Sequence, residues 1–157
     1  MKPAFKAPFA RRQWCLVPAW ELFEPFYAPG AKRSERWSIE RADGTALGIA
    51  GLWERWKSPD GKEVISFAML TINCDAHPLL NRFHKHFDDK GEPNERRTPA
   101  LLREDDYDRW LNSSLDEAPS FFTTFGSDDL QAHAAPIVPV RKGNPVPQPV
   151  QRDLLTG

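Results

Sequence analysis

Fifteen prolines in 157 residues constrain this chain more than any other feature of its sequence. Each proline fixes φ and removes a backbone donor, so long helices are disfavoured and the chain is cut into short strands and turns. Between these breaks the apolar content stays high: 40% of residues are hydrophobic, with six Trp and ten Phe. That composition belongs to a packed globular chain rather than a disordered one. One domain is expected over residues 1–140, with a Pro-rich flexible tail over 141–157.

The apolar runs are short and mostly strand-like. A short amphipathic helix is expected in residues 1–14, where Phe5 and Phe9 are four apart. Cys15–Ala19 reads as a strand, and Trp20–Tyr27 alternates so that Trp20, Leu22, Glu24 and Phe26 share one face. Trp37–Arg41 and Thr45–Trp53 predict a hairpin around Asp43-Gly44, and Gly48–Trp56 with Glu63–Ile72 predicts a second around Asp60-Gly61. Both strands of the second hairpin are apolar on both faces, which predicts a central, buried position. Residues 85–97 are polar and aperiodic and read as a surface loop. Thr98–Leu102 is one more strand, and Glu104–Leu111 reads as a helix burying Tyr107, Trp110 and Leu111. Ser127–Ala134 reads as helical with His133 on the surface, and Ile137–Val140 as an edge strand. The sum is an α+β fold, a strand-rich antiparallel sheet or barrel-like core with a few short peripheral helices.

Charge narrows the function only through its distribution. The net charge is −1, yet residues 1–57 hold ten Lys and Arg against six Asp and Glu. A basic first third suits a phosphate-bearing partner, and equally suits an ordinary mixed surface. The two cysteines, Cys15 and Cys74, lie beside strand-like runs without CxxC or Cys/His spacing, as reduced, buried thiols do. No apolar run reaches the ~18 residues of a membrane span, so a cytoplasmic protein without membrane contact is expected.

Candidate chemistry gathers in two stretches. TINCDAHPLLNRFHK (71–85) ends an apolar run, breaks at Asp75-Ala76-His77-Pro78 and reaches His84 after a short apolar turn, a placement that holds an imidazole at a cleft edge. Glu24 sits in line with large apolar residues, where desolvation raises a carboxyl pKa toward the range useful for proton transfer. Three arrangements compete: a metal site from His77, His84 and His86; a thiol nucleophile, Cys15 or Cys74, with His84; and an acid/base couple of Glu24 and His84. The first lacks any Cys cluster or HExxH, and the second lacks a local cation to lower a thiol pKa.

The runs RRQWCLVPAWELFEP (11–25), ADGTALGIAGLWERW (42–56), TINCDAHPLLNRFHK (71–85) and DDYDRWL (105–111) closely resemble the SRAP family of SOS-response-associated peptidases and abasic-site processing proteins, from about Ala4 to Leu111. The resemblance implies a compact strand-rich α+β fold with a groove for single-stranded DNA. It implies a nucleophile that is a cysteine exposed at the N-terminus after Met removal. The α-amine and thiol of that cysteine capture the ring-opened aldehyde of an abasic site, and peptidase-like autoprocessing accompanies this activity. The family glutamate falls on Glu24 and the family histidine on His84, the first assisting proton transfer at the amine and the second at the sugar oxygen. No cofactor and no metal are implied. The implied partner is single-stranded DNA with abasic sites, met in the cytoplasm and at the nucleoid after damage, by a domain that is a monomer when intact.

Several positions depart from the family pattern. The chain begins Met1-Lys2-Pro3 at a point that matches the family just after its N-terminal region, so the family's Met-Cys-Gly start and its Asn-Ala-Arg segment are both missing from the resemblance. Cys15 has no free α-amine with which to close a thiazolidine. Arg97-Thr98-Pro99 stands where the family has Arg-Met-Pro, His86 replaces a common proline, and Pro25 replaces a frequent Trp. The expectation is therefore a family member truncated at its N-terminus. The alternative expectation is a remnant that only binds single-stranded DNA weakly.

Overall fold

In a computed structural model, residues 3–88 and 90–137 are described. The chain runs through helix α1 (Pro3–Ala10) and strands β1 (Trp14–Ala19), β2 (Leu22–Phe26), β3 (Glu35–Arg41), β4 (Leu47–Lys57), β5 (Glu63–Met69) and β6 (Thr71–Asn73). After a long connection come β7 (Arg97–Pro99), β8 (Leu101–Leu102), helix α2 (Tyr107–Asn112) and β9 (Leu130–Ala134). The strands form three antiparallel sheets: β1-β4-β5 with β8 also on β4, β2-β3-β9, and the pair β6-β7. The α+β, strand-rich class expected from the sequence holds, and no closed barrel forms among the described residues.

Strand β4 is the spine. Residues Leu47 to Leu52 are buried without interruption, because both faces of the strand meet a core. Leu47 and Ile49 enter a cluster with Leu22, Ile39, Leu80, Phe83 and Leu101. Ala50 and Leu52 enter a second with Trp14, Leu102, Trp110 and Phe121, flanked by Phe5 and Phe9 of α1. Trp110 of α2 is fully buried, stacks at 4.7 Å from Trp14, and donates its indole N–H to the Cys15 carbonyl at 2.9 Å. Trp14 donates in turn to the Ser113 carbonyl at 3.0 Å. Each buried indole thus keeps a partner for its polar atom, as burial in low dielectric requires.

Several expectations are corrected. The first hairpin does not form: β3 pairs with β2 and β9, while β4 pairs with β1, β5 and β8. Asp43-Gly44 does turn the chain, with Gly44 at φ +75° and Asp43 accepting from Thr45, but the turn is a corner between two sheets. Second, the run Val64–Ile72 is neither one strand nor buried. It breaks at Leu70, and β5 is an edge strand with Ile65 67% and Phe67 64% exposed. Apolar residues on both faces indicate a central strand only when something covers both faces, and among the described residues only β4 pairs with β5.

Third, Ser127–Ala134 is a short 3-10 turn followed by strand β9, because its backbone groups find the free edge of β3. Fourth, Leu111 faces solvent, 41% exposed, since a helix as short as α2 buries one narrow stripe centred on Trp110. Cys15 is half-buried where a buried thiol was expected, while Cys74 is buried. Of the proposed edge strand Ile137–Val140, only Ile137 lies within the described residues, and it is exposed and outside any strand. The tail over 141–157 lies outside them entirely.

Gly48 is a close-approach glycine: a Cβ there would overlap the Tyr107 ring, which lies directly against the strand. Gly48→Ala is expected to destabilise the fold by about 1–3 kcal/mol through overpacking. In combination with Tyr107→Ala the loss should be smaller than the sum of the single losses by roughly 0.5–3 kcal/mol, read from urea denaturation midpoints.

Candidate acid/base site

Alternation along β2 sets one half of the site. Leu22 points into the core and Phe23 points out, 43% exposed, so Glu24 turns inward beside Phe26. The Glu24 side chain keeps only 18% of its surface exposed. Behind it Phe26 packs against Trp37 at 4.7 Å and against Phe83 at 6.3 Å between ring centroids. The carboxyl therefore stands at the rim of an aromatic floor.

The other half arrives from the segment after β6. His77 organises that segment: its Nδ1 accepts the backbone N–H groups of Leu79 at 3.2 Å and Leu80 at 3.0 Å. With Nδ1 committed as acceptor, Nε2 carries the proton and donates to the Phe125 carbonyl at 2.9 Å. A 3-10 turn (Leu80–Arg82) then delivers Phe83, 1% exposed, as a backbone bridge to Phe26. His84 follows in the left-handed region at φ +64°, held by its N–H donating to the Pro25 carbonyl at 2.8 Å. A non-glycine residue reaches this region at some cost in backbone energy, and here two β2 contacts hold it there.

The two halves meet: His84 Nε2 lies 2.9 Å from Glu24 Oε2, with the imidazole 39% exposed. Burial pushes the Glu24 carboxyl above its usual range, and the adjacent imidazole pulls it partly back. On the His84 side of the pair, Pro25, Tyr27, His84, Lys85, Asn94, Glu95 and Arg97 line an open cleft of about 400 Å³. Arg97 is anchored at its wall, donating to the Thr71 hydroxyl at 3.0 Å and to Glu95 at 2.6 Å.

The competing arrangements are not assembled. His77 spends both ring nitrogens on backbone groups, and His86 lies against Arg96, whose guanidinium is 3.0 Å from its Nδ1. Among the described residues no three His, Cys, Asp or Glu side chains are grouped as metal ligands. Burial raises the pKa of both Cys15 and Cys74, the opposite of nucleophile activation.

The sequence reading passed over Arg96 altogether. It ties the 85–96 loop to the turn before His84, bonding Asp75 at 2.7 Å and the Asn81 carbonyl at 2.9 Å. Its position inside Glu-Arg-Arg in a polar loop carries no periodicity that could have marked it. The guanidinium carbon of Arg82 lies 5.8 Å from the ring centres of both Phe26 and Trp37. That places a cation over the aromatic floor.

A small strand-rich domain holding a Glu–His couple at a cleft edge is the class of protein that this geometry defines. Residues 1–141 match the family model SRAP, SOS response associated peptidase, and the chain belongs to that family. Abasic site processing protein YoqW of Bacillus subtilis (strain 168) is 23% identical over 140 residues, covering 84% of this chain and 54% of the relative. YobE of the same organism, also named an abasic site processing protein, is 23% identical over 84% of this chain and 55% of its own length. This chain thus spans about half the length of the curated relatives it matches. A solved structure from Bordetella bronchiseptica superposes with a TM-score of 0.76 at 32% identity, over 85% of this chain and 59% of that one. A second, from Bacteroides thetaiotaomicron, reaches 0.69 at 24% identity over 85% and 53%, a likeness of fold.

The raised Glu24 pKa has a definite sign in stability. Between the unfolded and folded pKa the native state binds more protons, so this contribution is present at low pH and is lost as pH rises through the folded value. Glu24→Gln, which removes the buried charge and keeps an acceptor for His84, is expected to raise the urea midpoint at pH 7. The gain should vanish as pH falls below the ordinary glutamate value of about 4.3.

Proposed function

We propose that Glu24 and His84 are the proton-transfer groups of a site that captures abasic sites in single-stranded DNA as a covalent protein adduct. The observation that carries this reading is the 2.9 Å contact between a desolvated carboxyl and a half-open imidazole at the edge of a cleft. The names of the relatives, both abasic site processing proteins, supply the substrate class.

An abasic sugar is a cyclic hemiacetal, and only its open form offers an aldehyde. His84, the more exposed of the pair, gives a proton to the sugar ring oxygen as the C1′–O4′ bond breaks, while the C1′ hydroxyl passes its own proton to water and becomes the aldehyde. A primary amine then adds to C1′, and loss of the C1′ oxygen as water leaves a Schiff base. Glu24 moves the protons at nitrogen, a task suited to a carboxyl whose pKa lies above its usual range. A thiol adding across the C=N bond closes a thiazolidine, its sulfur going to carbon and its proton to nitrogen. The amine and thiol of such a ring come from one N-terminal cysteine. Neither Cys15 nor Cys74, both internal, meets that requirement. Peptidase-like autoprocessing at the same pair belongs to this reading.

A second reading has its own support. Lys85 and Arg97 line the cleft beside His84, Arg82 lies over the Phe26 ring, and neither cysteine is an activated thiol, which suits single-strand binding alone. Phosphate contacts of this kind weaken steeply with salt.

The test is a denaturing gel of the chain, and of a form extended upstream to begin Met-Cys-Gly, each incubated with single-stranded DNA carrying one abasic site. The extended form is expected to give a band that survives denaturation. Glu24→Gln or His84→Ala should slow its formation by about 10²-fold or more, the usual worth of a positioned acid or base. No covalent band from either form, with binding that falls as salt rises, would leave the second reading.

A further inference from the structure

We infer that Arg96 is the positioning residue of the Glu24–His84 couple: one guanidinium holds the chain on both sides of His84 and so sets the imidazole against the carboxyl. The starting observation is an arch. His84 stands in the left-handed region at φ +64°, and the chain beyond it runs through a mostly exposed loop before returning at β7. Upstream it is held by Phe83 in the core and by its own N–H on the Pro25 carbonyl. Left-handed backbone in a residue with a side chain is strained, and it persists only where the surroundings over-determine it.

Arg96 supplies the hold from the downstream side. Its Nη1 donates to the Asn81 carbonyl at 2.9 Å and lies 3.0 Å from His86 Nδ1. Asn81 precedes the imidazole-bearing residue and His86 follows it. A single nitrogen therefore closes the base of the arch whose top is His84.

The guanidinium is itself seated on the β6–β7 pair. Asp75, just past β6, accepts from Arg96 Nε at 2.7 Å and from the Arg96 backbone N–H at 3.2 Å. The Arg96 carbonyl accepts in turn from the Cys74 N–H at 2.9 Å, and Asn73 Nδ2 donates to Asp75 at 2.8 Å. The bond from Arg96 holds the Asp75 carboxyl below its usual range. The Arg96 side chain is only 16% exposed, whereas that of Arg97 is 46% exposed and bonds Thr71 and Glu95 at the cleft wall instead. Arginine suits this place and lysine does not. A planar fork reaches a carboxylate and a carbonyl in different directions from one rigid group, and a lone ammonium on a flexible stem cannot keep both.

The meaning of this hold for catalysis rests on the role proposed for Glu24 and His84, but the test reads the couple itself and needs no DNA. It is a pH titration of the Glu24 carboxyl carbon by NMR in the full chain. The adjacent imidazole lowers this pKa, so a change that moves His84 away raises it. His84→Ala is the reference and should shift the titration to higher pH. Arg96→Ala, Arg96→Lys and Asp75→Ala, which unseats the guanidinium, should each shift it in the same direction. Direct charge effects cannot give this pattern, because Arg96→Lys keeps the cation and loss of the Asp75 anion would lower the value. In a His84→Ala background none of the three should add a further shift. Where Arg96→Ala fails to fold, the other two variants decide.

A Glu24 titration unchanged by Arg96→Lys or by Asp75→Ala overturns the inference. So does a shift that persists when His84 is already gone, which a merely structural or electrostatic role would give. Failure of the extended form to capture an abasic site would count against the proposed function alone, since the titration decides the role of Arg96 without it.

Discussion

Strand β4 carries two cores at once. Its residues alternate between the cluster around Ile49 and the cluster around Trp110, and its edges are shared among β1, β5 and β8. Six consecutive buried positions leave no face for solvent, and the small residues Gly48, Ala50 and Gly51 admit what crosses above and below. Tyr107 lies against one of these glycines and the Cys15 sulfur against another. Side-chain volume along β4 therefore sets how closely α2 and β1 approach. The apolar surface covered there is the main source of stability in a domain of this size.

The candidate site is built at the margin of the first core. Phe83 is the last core residue before the chain emerges, and His84 is the first residue outside it. Its imidazole inherits the rigidity of the bridge between Phe26 and Phe83 and of the hydrogen bond to the Pro25 carbonyl. Pro25 has no N–H of its own to offer, so at this position β2 can only accept. The left-handed backbone at His84 then turns the side chain toward Glu24 on the same strand. Two residues sixty positions apart in sequence meet because one short strand supplies both the carboxyl and the anchor for its partner.

Glu24 and His84 were legible because each follows a local rule: a period-two face in one case, and the end of an apolar turn in the other. What escaped the sequence depends on pairing partners far along the chain. Asp43-Gly44 announces a turn but not whether the flanking strands share a sheet, and here they do not. Ser127-Asp128-Asp129 has the composition of a helix start, yet the five residues after it are a strand because the edge of β3 was open to them. The apolar pattern of β5 was visible, while its exposure follows from what is absent beside it among the described residues. Arg96 escaped because a strut is defined by its three acceptors, which come from separate turns.

The pairing of β3 with β9 joins Arg41 to Leu130 and Trp37 to Ala134. On a ribosome adding roughly 5–20 residues each second, the outer edge of β3 waits on the order of 5–20 s for its mate to be made. Throughout that interval the sheet that holds Glu24 consists of β2 and β3 alone, a two-stranded ribbon of the kind that is marginal in water. The sheet that carries Glu24 is thus completed by the last described strand to leave the tunnel. Between the emergence of β3 and that of β9 the nascent chain carries an exposed strand edge, and it is then that a holding chaperone has most to protect.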